Sequence, residues 1–324
     1  MSRVRFIARA PSEWPDLWRR DREATVFHHP RWIDAITRAY PRFEPRFAVH
    51  EHDGRVDGVL PFVRYRKLGM EQILSLPYGT YGGSVVDPQA AGDPAGALAA
   101  AFARLVRRPL VVRFEMTLFH PGEDRAASVD RELGRFLRPT HTHVVDLTVG
   151  FDELWNRRYD KDTRTAVRKA EREGVTAAAE PGDEAVVVLA RLHAEQSRNW
   201  AGFRPHPVEA LRAVRETLGE EAEIWVARRG GEPLVAMLVV SAGGREAFAW
   251  VSGSQPEARP VNALHLIFDR LFRRACEQGM VRLNFGGSAG NPGIEAFKMS
   301  LGGIEVPVRR YYGEAAWRRR LRRS

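Results

Sequence analysis

The sequence predicts an α/β protein of two similar domains, each built around a mixed sheet. Three observations carry that expectation. With 324 residues, 44% hydrophobic and 28% charged, the chain has globular composition and too much length for one small domain. Periodicity and glycine punctuation give the second half the element order βααβββαβαβ. The first half yields a looser copy of that order, although its residues do not repeat.

In chain order, a strand over residues 4–8 precedes helices near 12–20 and 30–40. Strands at 47–51 and 56–66 flank the Asp53-Gly54 turn. A glycine-rich stretch, Pro77-Tyr78-Gly79-Thr80-Tyr81-Gly82-Gly83, leads to a strand at 84–86, a helix at 94–107 and strands at 110–118 and 142–148. The boundary is expected near Val149-Gly150, which makes 1–150 the first domain and 151–324 the second, the extreme C-terminus being free to pack back on the first. The second domain opens with a helix at 161–173 that Gly174 stops, followed by a strand at 175–179 and helices at 183–200 and 207–218. Strands at 223–228, 234–242 and 246–252 are joined through Gly230-Gly231 and Gly243-Gly244. A helix at 261–278, a strand at 281–285, a helix at 294–300 and a strand at 305–311 complete it. The arginine-rich end, Trp317 to Arg323, reads as a solvated tail or a basic helix.

No apolar stretch approaches the ~18 residues of a spanning helix, and no signal-peptide pattern opens the chain. A cytoplasmic protein without an integral membrane segment is therefore expected. The lone Cys276 can form neither an internal disulfide nor a cysteine metal site. The net charge of +9 points to a polyanionic partner, whether RNA, a phosphorylated substrate or an anionic surface. Only Lys67, Lys161, Lys169 and Lys298 are lysines among fifty cations. Where arginine is so preferred, a lysine can mark a site that needs a compact ammonium.

The element order of each half resembles the GNAT acyltransferase fold, and particular residues narrow the resemblance. The basic run from Arg158 to Val175 is similar to the helix that opens the second domain of Fem-type aminoacyltransferases and their FemAB-related relatives. Leu283-Asn284-Phe285-Gly286-Gly287, followed by Phe297-Lys298-Met299-Ser300-Leu301-Gly302-Gly303, resembles that family's ending. At the front, Phe27-His28-His29-Pro30-Arg31-Trp32 and the Pro77–Gly83 stretch resemble its first domain. The resemblance implies two tandem GNAT-like domains and transfer of an aminoacyl group, from aminoacyl-tRNA, to an amine such as that of a peptide or cell-wall precursor. It departs at two places. Ile33, Asp34, Ala35 and Ile36 follow Trp32 where peptidoglycan enzymes tend to carry a lysine, which tells against a nucleotide-sugar acceptor. Asn284 stands where an aspartate is usual, so no carboxylate base is placed there.

At 100° per residue, Arg157, Lys161, Arg164, Arg168 and Arg172 fall on one narrow stripe, which is more stable with phosphates along it; a solvated face is the plain alternative. Asp160 would drop Arg157 from the line if it broke the helix. Lys298, after Phe297 and near a glycine loop, is the expected catalytic ammonium, stabilising charge that develops on the reacting carbonyl or leaving hydroxyl. Phe297 accompanies it as a catalytic candidate. Substrate binding is assigned to Lys161, Arg164, Arg168, Arg172, Tyr78, Tyr81, Asn284, Gly286, Gly287 and Trp250.

Gly286-Gly287-Ser288-Ala289-Gly290 fits a nucleophile-elbow pattern, but a hydrolase of that type needs a later histidine and the last one is His265. The following residues also lack the lysine of a P-loop. Histidine pairs at 28–29, 50 with 52, and 141 with 143 lack a third ligand at a recognisable spacing, so no metal is expected. Prolines at 256 and 260 weaken a coenzyme A pyrophosphate loop before the helix at 261–278. No tightly bound cofactor is expected. Acyl-coenzyme A remains the alternative donor, and a silent RNA-binding module the alternative from another class.

Overall fold

The computed structural model describes residues 2–198, 200 and 203–315, so the basic tail at 317–323 lies outside the described residues. The chain divides into two compact units, residues 2–141 with 307–315, and residues 142–306. The glycine turn expected to mark the boundary, Val149-Gly150, lies inside the second unit, because the strand before it already pairs there.

The first unit contains β1 (Ser2–Ile7), α1 (Trp14–Arg20), α2 (Pro30–Ala39), β2 (Glu44–His52), β3 (Arg55–Lys67), β4 (Met70–Ser75), β5 (Val85–Val86), α3 (Pro94–Val106), β6 (Val111–Phe119) and α4 (Glu123–Leu133). Its strands run in the order β1-β2-β3-β4-β6, with β5 on β3. The pair β4 and β6 is parallel and is bridged by α3, while the others named are antiparallel. Phe62, Phe102, Phe114 and Tyr311 sit at the centre of its core. β4 and α4 are the two elements that the sequence reading leaves unassigned. Met70–Ser75 is bounded by Leu68-Gly69, an ambiguous signal, and α4 carries mostly charged and small residues.

The strand expected at 142–148 is β7 (Leu137–Asp146), which enters the second unit. It is followed by the short α5 (Phe151–Glu153), a π-helical turn over Leu154–Arg158, α6 (Lys161–Arg172), β8 (Val175–Ala179), α7 (Asp183–Ser197), α8 (Val208–Leu218), β9 (Ala222–Arg229), β10 (Glu232–Ala242), β11 (Glu246–Ser254), α9 (Ala263–Glu277), β12 (Arg282–Asn284), α10 (Pro292–Ser300) and β13 (Ile304–Glu314). The strand order here is β7-β12-β11-β10-β9-β8. β11 and β12 are parallel around the crossover helix α9, and their neighbours are antiparallel.

Helices α6 and α9 share one core with the sheet. Val167 and Ala170 of α6 meet Leu266, Leu271 and Phe272 of α9 over Trp225, Val235 and Met237. Burying each large apolar side chain contributes about 2 kcal/mol. α7 packs against β10 and β11, and there Gly253 lets the strand backbone approach the helix backbone. A Cβ on it would stand 2.2 Å from His193 N. Among the described residues no helix is long and apolar enough to cross a membrane.

Candidate active site

Parallel strands β11 and β12 pair for three residues, Glu246 with Arg282, Ala247 with Leu283 and Phe248 with Asn284. There they part. β11 runs on to Ser254 along β10, while the other strand leaves through a turn at Phe285–Gly290. Just past the parting, β11 carries an extra residue. Its register with β10 passes from Val239–Ala249 to Leu238–Val251 and skips Trp250, a bulge that re-aims this side chain. Trp250 lies against His206, with ring centroids 5.1 Å apart.

The turn after β12 is fixed from two sides. Asn284 is fully buried, and its Oδ1 accepts from Thr142 Oγ1 at 3.0 Å and from the Gly286 amide at 2.9 Å. Gly286 has φ +73°, a conformation that favours glycine, and a Cβ there would stand a tight 3.3 Å from Phe248 Cζ. From the other side comes α10. Asn291 caps it, its side chain accepting from the Gly293 and Ile294 amides. Lys298, near the end of this helix, returns to the turn and donates to Gly286 O at 2.6 Å, Gly287 O at 3.1 Å and Ser288 Oγ at 3.0 Å. The Gly-Gly exit has a cause as well. Gly302 adopts φ +82°, and a Cβ at Gly303 would stand 2.6 Å from Lys298 O.

Lys298 is 5% exposed. Burial pushes its ammonium down to about 8 from the usual lysine value, with Glu295 pulling the other way. Its three N–H groups all have protein partners, so it serves first to hold the turn. Phe297 points elsewhere, its ring 4.9 Å from His265 and 5.9 Å from Phe268. Partly buried, it packs α10 against α9 at the edge of the core.

The basic stripe is shorter than its helical wheel. The π turn ends at Tyr159, where the backbone becomes extended, and α6 starts anew at Lys161. Arg157 therefore leaves the line and pairs with Glu153 at 3.5 Å. Arg164 turns onto the carbonyls of Trp155 and Tyr159, tying the two helical pieces together. Lys161, Arg168 and Arg172 remain exposed, on the side away from buried Thr163, Val167 and Ala170. Arg168 lies over the Trp155 ring at 5.5 Å.

Tyr78 and Tyr81 belong to the first unit. Tyr81 is buried between Phe27 and Phe119, a core position. Tyr78, at φ +70°, accepts a hydrogen bond from Arg42 at 2.9 Å. Sequence reasoning passed over Ser288 once the hydrolase pattern failed. The signal available was a serine ten residues before a lysine that burial would need to satisfy.

Between β11 and α9, where GNAT enzymes hold a pyrophosphate, four of the backbone donors are taken up internally. Gln255 N donates to Leu234 O, Ala258 N to Gln255 O, Arg259 N to Pro256 O and Asn262 N to Arg259 O. Pro256 and Pro260 supply none.

Residues 157–299 match the family model described as the acetyltransferase (GNAT) domain. The crystal structure of FemX superposes with a TM-score of 0.69 at 15% identity, covering 94% of this chain and 96% of that one. This is a tandem GNAT fold of the Fem type. The C-terminal domain of a putative lysylphosphatidylglycerol synthetase from Agrobacterium fabrum is similar in structure, with a TM-score of 0.60, 13% identity, and 94% and 91% coverage. A tandem GNAT protein from the clavulanic acid biosynthesis pathway gives 0.55, 15% identity, and 97% and 100%. No curated protein matches the chain by sequence. The fold expected from the sequence is thus borne out, and the matched GNAT segment, which carries both the split between β11 and β12 and Lys298, makes the protein an acyltransferase.

Proposed function

We propose that this N-acyltransferase takes its acyl group from an aminoacyl-tRNA and passes it to the amine of a peptide or cell-wall precursor. The observation that supports this donor best is that four of the amides between β11 and α9 are already bonded within the chain and two positions there are prolines. A coenzyme A pyrophosphate draws on N–H groups at that helix start, and the prolines and internal hydrogen bonds leave fewer of them in this turn. Lys161, Arg168 and Arg172, exposed along α6, suit a phosphate backbone, and the Fem-type resemblance points to the same donor. The splay after Phe248 and Asn284 would receive the acyl ester, with the Gly286–Ser288 turn and Trp250 lining it and Lys298 supplying positive potential behind the turn.

An acyl-coenzyme A donor is the second reading. It is favoured by the match of residues 157–299 to an acetyltransferase domain and keeps the same chemistry at the turn. Competition separates the two. Labelled bulk tRNA is expected to bind with a steep salt dependence, and Arg168→Glu with Arg172→Glu should flatten the slope by about one per lost phosphate contact. Displacement of tRNA by micromolar coenzyme A, or tRNA binding indifferent to both substitutions, would transfer the case to the second reading.

A further inference from the structure

We infer that Ser288 and Lys298 form a proton relay for the attacking amine, Ser288 Oγ taking the proton that the amine loses while passing its own hydroxyl proton to Lys298 Nζ. The inference rests on the N-acyl transfer reading of this same site and supplies the base that reading lacks.

Two of the three partners of Lys298 Nζ are carbonyl oxygens, Gly286 O and Gly287 O, and the third is Ser288 Oγ. A carbonyl only accepts, so each of the first two fixes an N–H on the lysine. A hydroxyl both donates and accepts. The Nζ–Oγ line is therefore the direction along which nitrogen can carry either a proton or a lone pair. Loss of one proton from the pair, with the hydroxyl turning from acceptor to donor across the 3.0 Å, converts one state to the other with both carbonyl bonds intact. A neutral lysine held in this way is a base whose lone pair is already aimed.

The scaffold holds the pair still. Asn291 N donates to Ser288 O at 2.9 Å, joining the turn to the capped start of α10, the helix that brings Lys298 back. Ser288 is 4% exposed, yet it lies between exposed Gly287 and Ala289, and a Cβ built on Gly287 meets open space. The hydroxyl is thus one residue from the open side of the turn and in contact with a desolvated amine.

Burial places Lys298 at about 8, within reach of neutral pH, which is where a general base is effective. Glu295, on the same helix, is the charged group acting on it. The turn from β12 offers carbonyls and a hydroxyl. From α9, His265 faces Phe297, and burial holds that ring below the usual histidine value.

The step balances without an added reagent. The amine nitrogen bonds to the acyl carbon as the bond from that carbon to the donor's leaving atom breaks. The amine proton ends on Ser288 Oγ and the serine proton on Lys298 Nζ. The resulting ammonium then yields one proton to the leaving atom or to water, which resets the pair.

The test is the pH dependence of kcat and KM, with charged bulk tRNA and acetyl-coenzyme A tried as donors and an amine-terminated peptide as acceptor. Lysine-labelled NMR reads Lys298 independently, because the chain has only Lys67, Lys161 and Lys169 besides. The expected wild-type kcat rises with pH on a limb that coincides with the Lys298 titration near 8. Ser288→Ala should lower kcat about 100-fold or more with KM little changed, and Ser288→Thr, which keeps the hydroxyl, should recover much of the loss. If Ser288→Ala fails to fold, Ser288→Thr against the near-isosteric Ser288→Val carries the comparison. Wild-type kcat and an unchanged limb in Ser288→Ala, or in Ser288→Val, would overturn the relay and leave acyl transfer standing. Absence of transfer by wild type from either donor would remove both.

Discussion

His28 shows how one buried ring couples to pH. It closes the capping box of the turn over Val26–His28, its Nδ1 accepting from the Thr25 amide at 3.0 Å, so protonation there would break the cap. Burial drives its pKa down to about 4, aided by Arg125 and opposed by Asp21. The folded value lies below the unfolded one, so the stability it contributes is present above pH 6.5 and lost as pH falls towards 4. The shift corresponds to about 3 kcal/mol. His28→Gln is therefore expected to flatten the acid limb of stability between pH 6.5 and 4 in urea titrations, and an unaltered limb would contradict the neutral cap. Lys298 differs from the other lysines for the same physical reason. Lys67 and Lys161 are exposed and Lys169 reaches Pro260 O from the surface, whereas Lys298 is desolvated. The sequence makes Lys298 stand out through its motif, but not its three acceptors, since those depend on how a later helix folds back.

At the scale of elements, strands and helices of the second unit were legible because their periodicity is regular and glycine closes most of them. Residues 175–179 agree at both ends, and 161–173 differs by one residue. The break before α6 was legible only as a possibility at Asp160. The π turn that removes Arg157 depends on Arg164 capping carbonyls five and nine residues back. β4 was missed because its partners, β3 and β6, are what make it a strand. The hydrogen bond from Thr142 to Asn284 spans 142 residues, and no local pattern encodes it. The approach of β11 to α7 at Gly253 gives a direct test. Gly253→Ala forces two backbones apart and should cost about 1–3 kcal/mol or more, as overpacking does. Denaturation equal to wild type would contradict this packing.

For the whole molecule, the division into two units carries its own consequence. Residues 308–314 of β13 pair with β6 in the first unit, and Tyr311 is fully buried there, its hydroxyl donating to Asp130 at 2.7 Å. A chain ending at Val306 loses that strand, and removing a buried aromatic alone typically costs 3–5 kcal/mol, so about that much or more is expected to be lost from the first unit. Limited proteolysis should then cut within residues 2–141 before residues 142–306, and unchanged resistance would contradict the assignment. The tandem plan was legible in the repeated element order. Which amides between β11 and α9 are bonded internally was not, because those bonds form only once the turn has folded.

The central claim is that acyl transfer takes place at the turn that Lys298 holds. Single-turnover transfer of labelled amino acid from charged bulk tRNA to an amine-bearing peptide, wild type beside Lys298→Ala, tests it most directly. Labelled amide from the wild type and a loss of 100-fold or more in the variant, with both proteins folded by circular dichroism, is the predicted result. Equal turnover by the two proteins would contradict it.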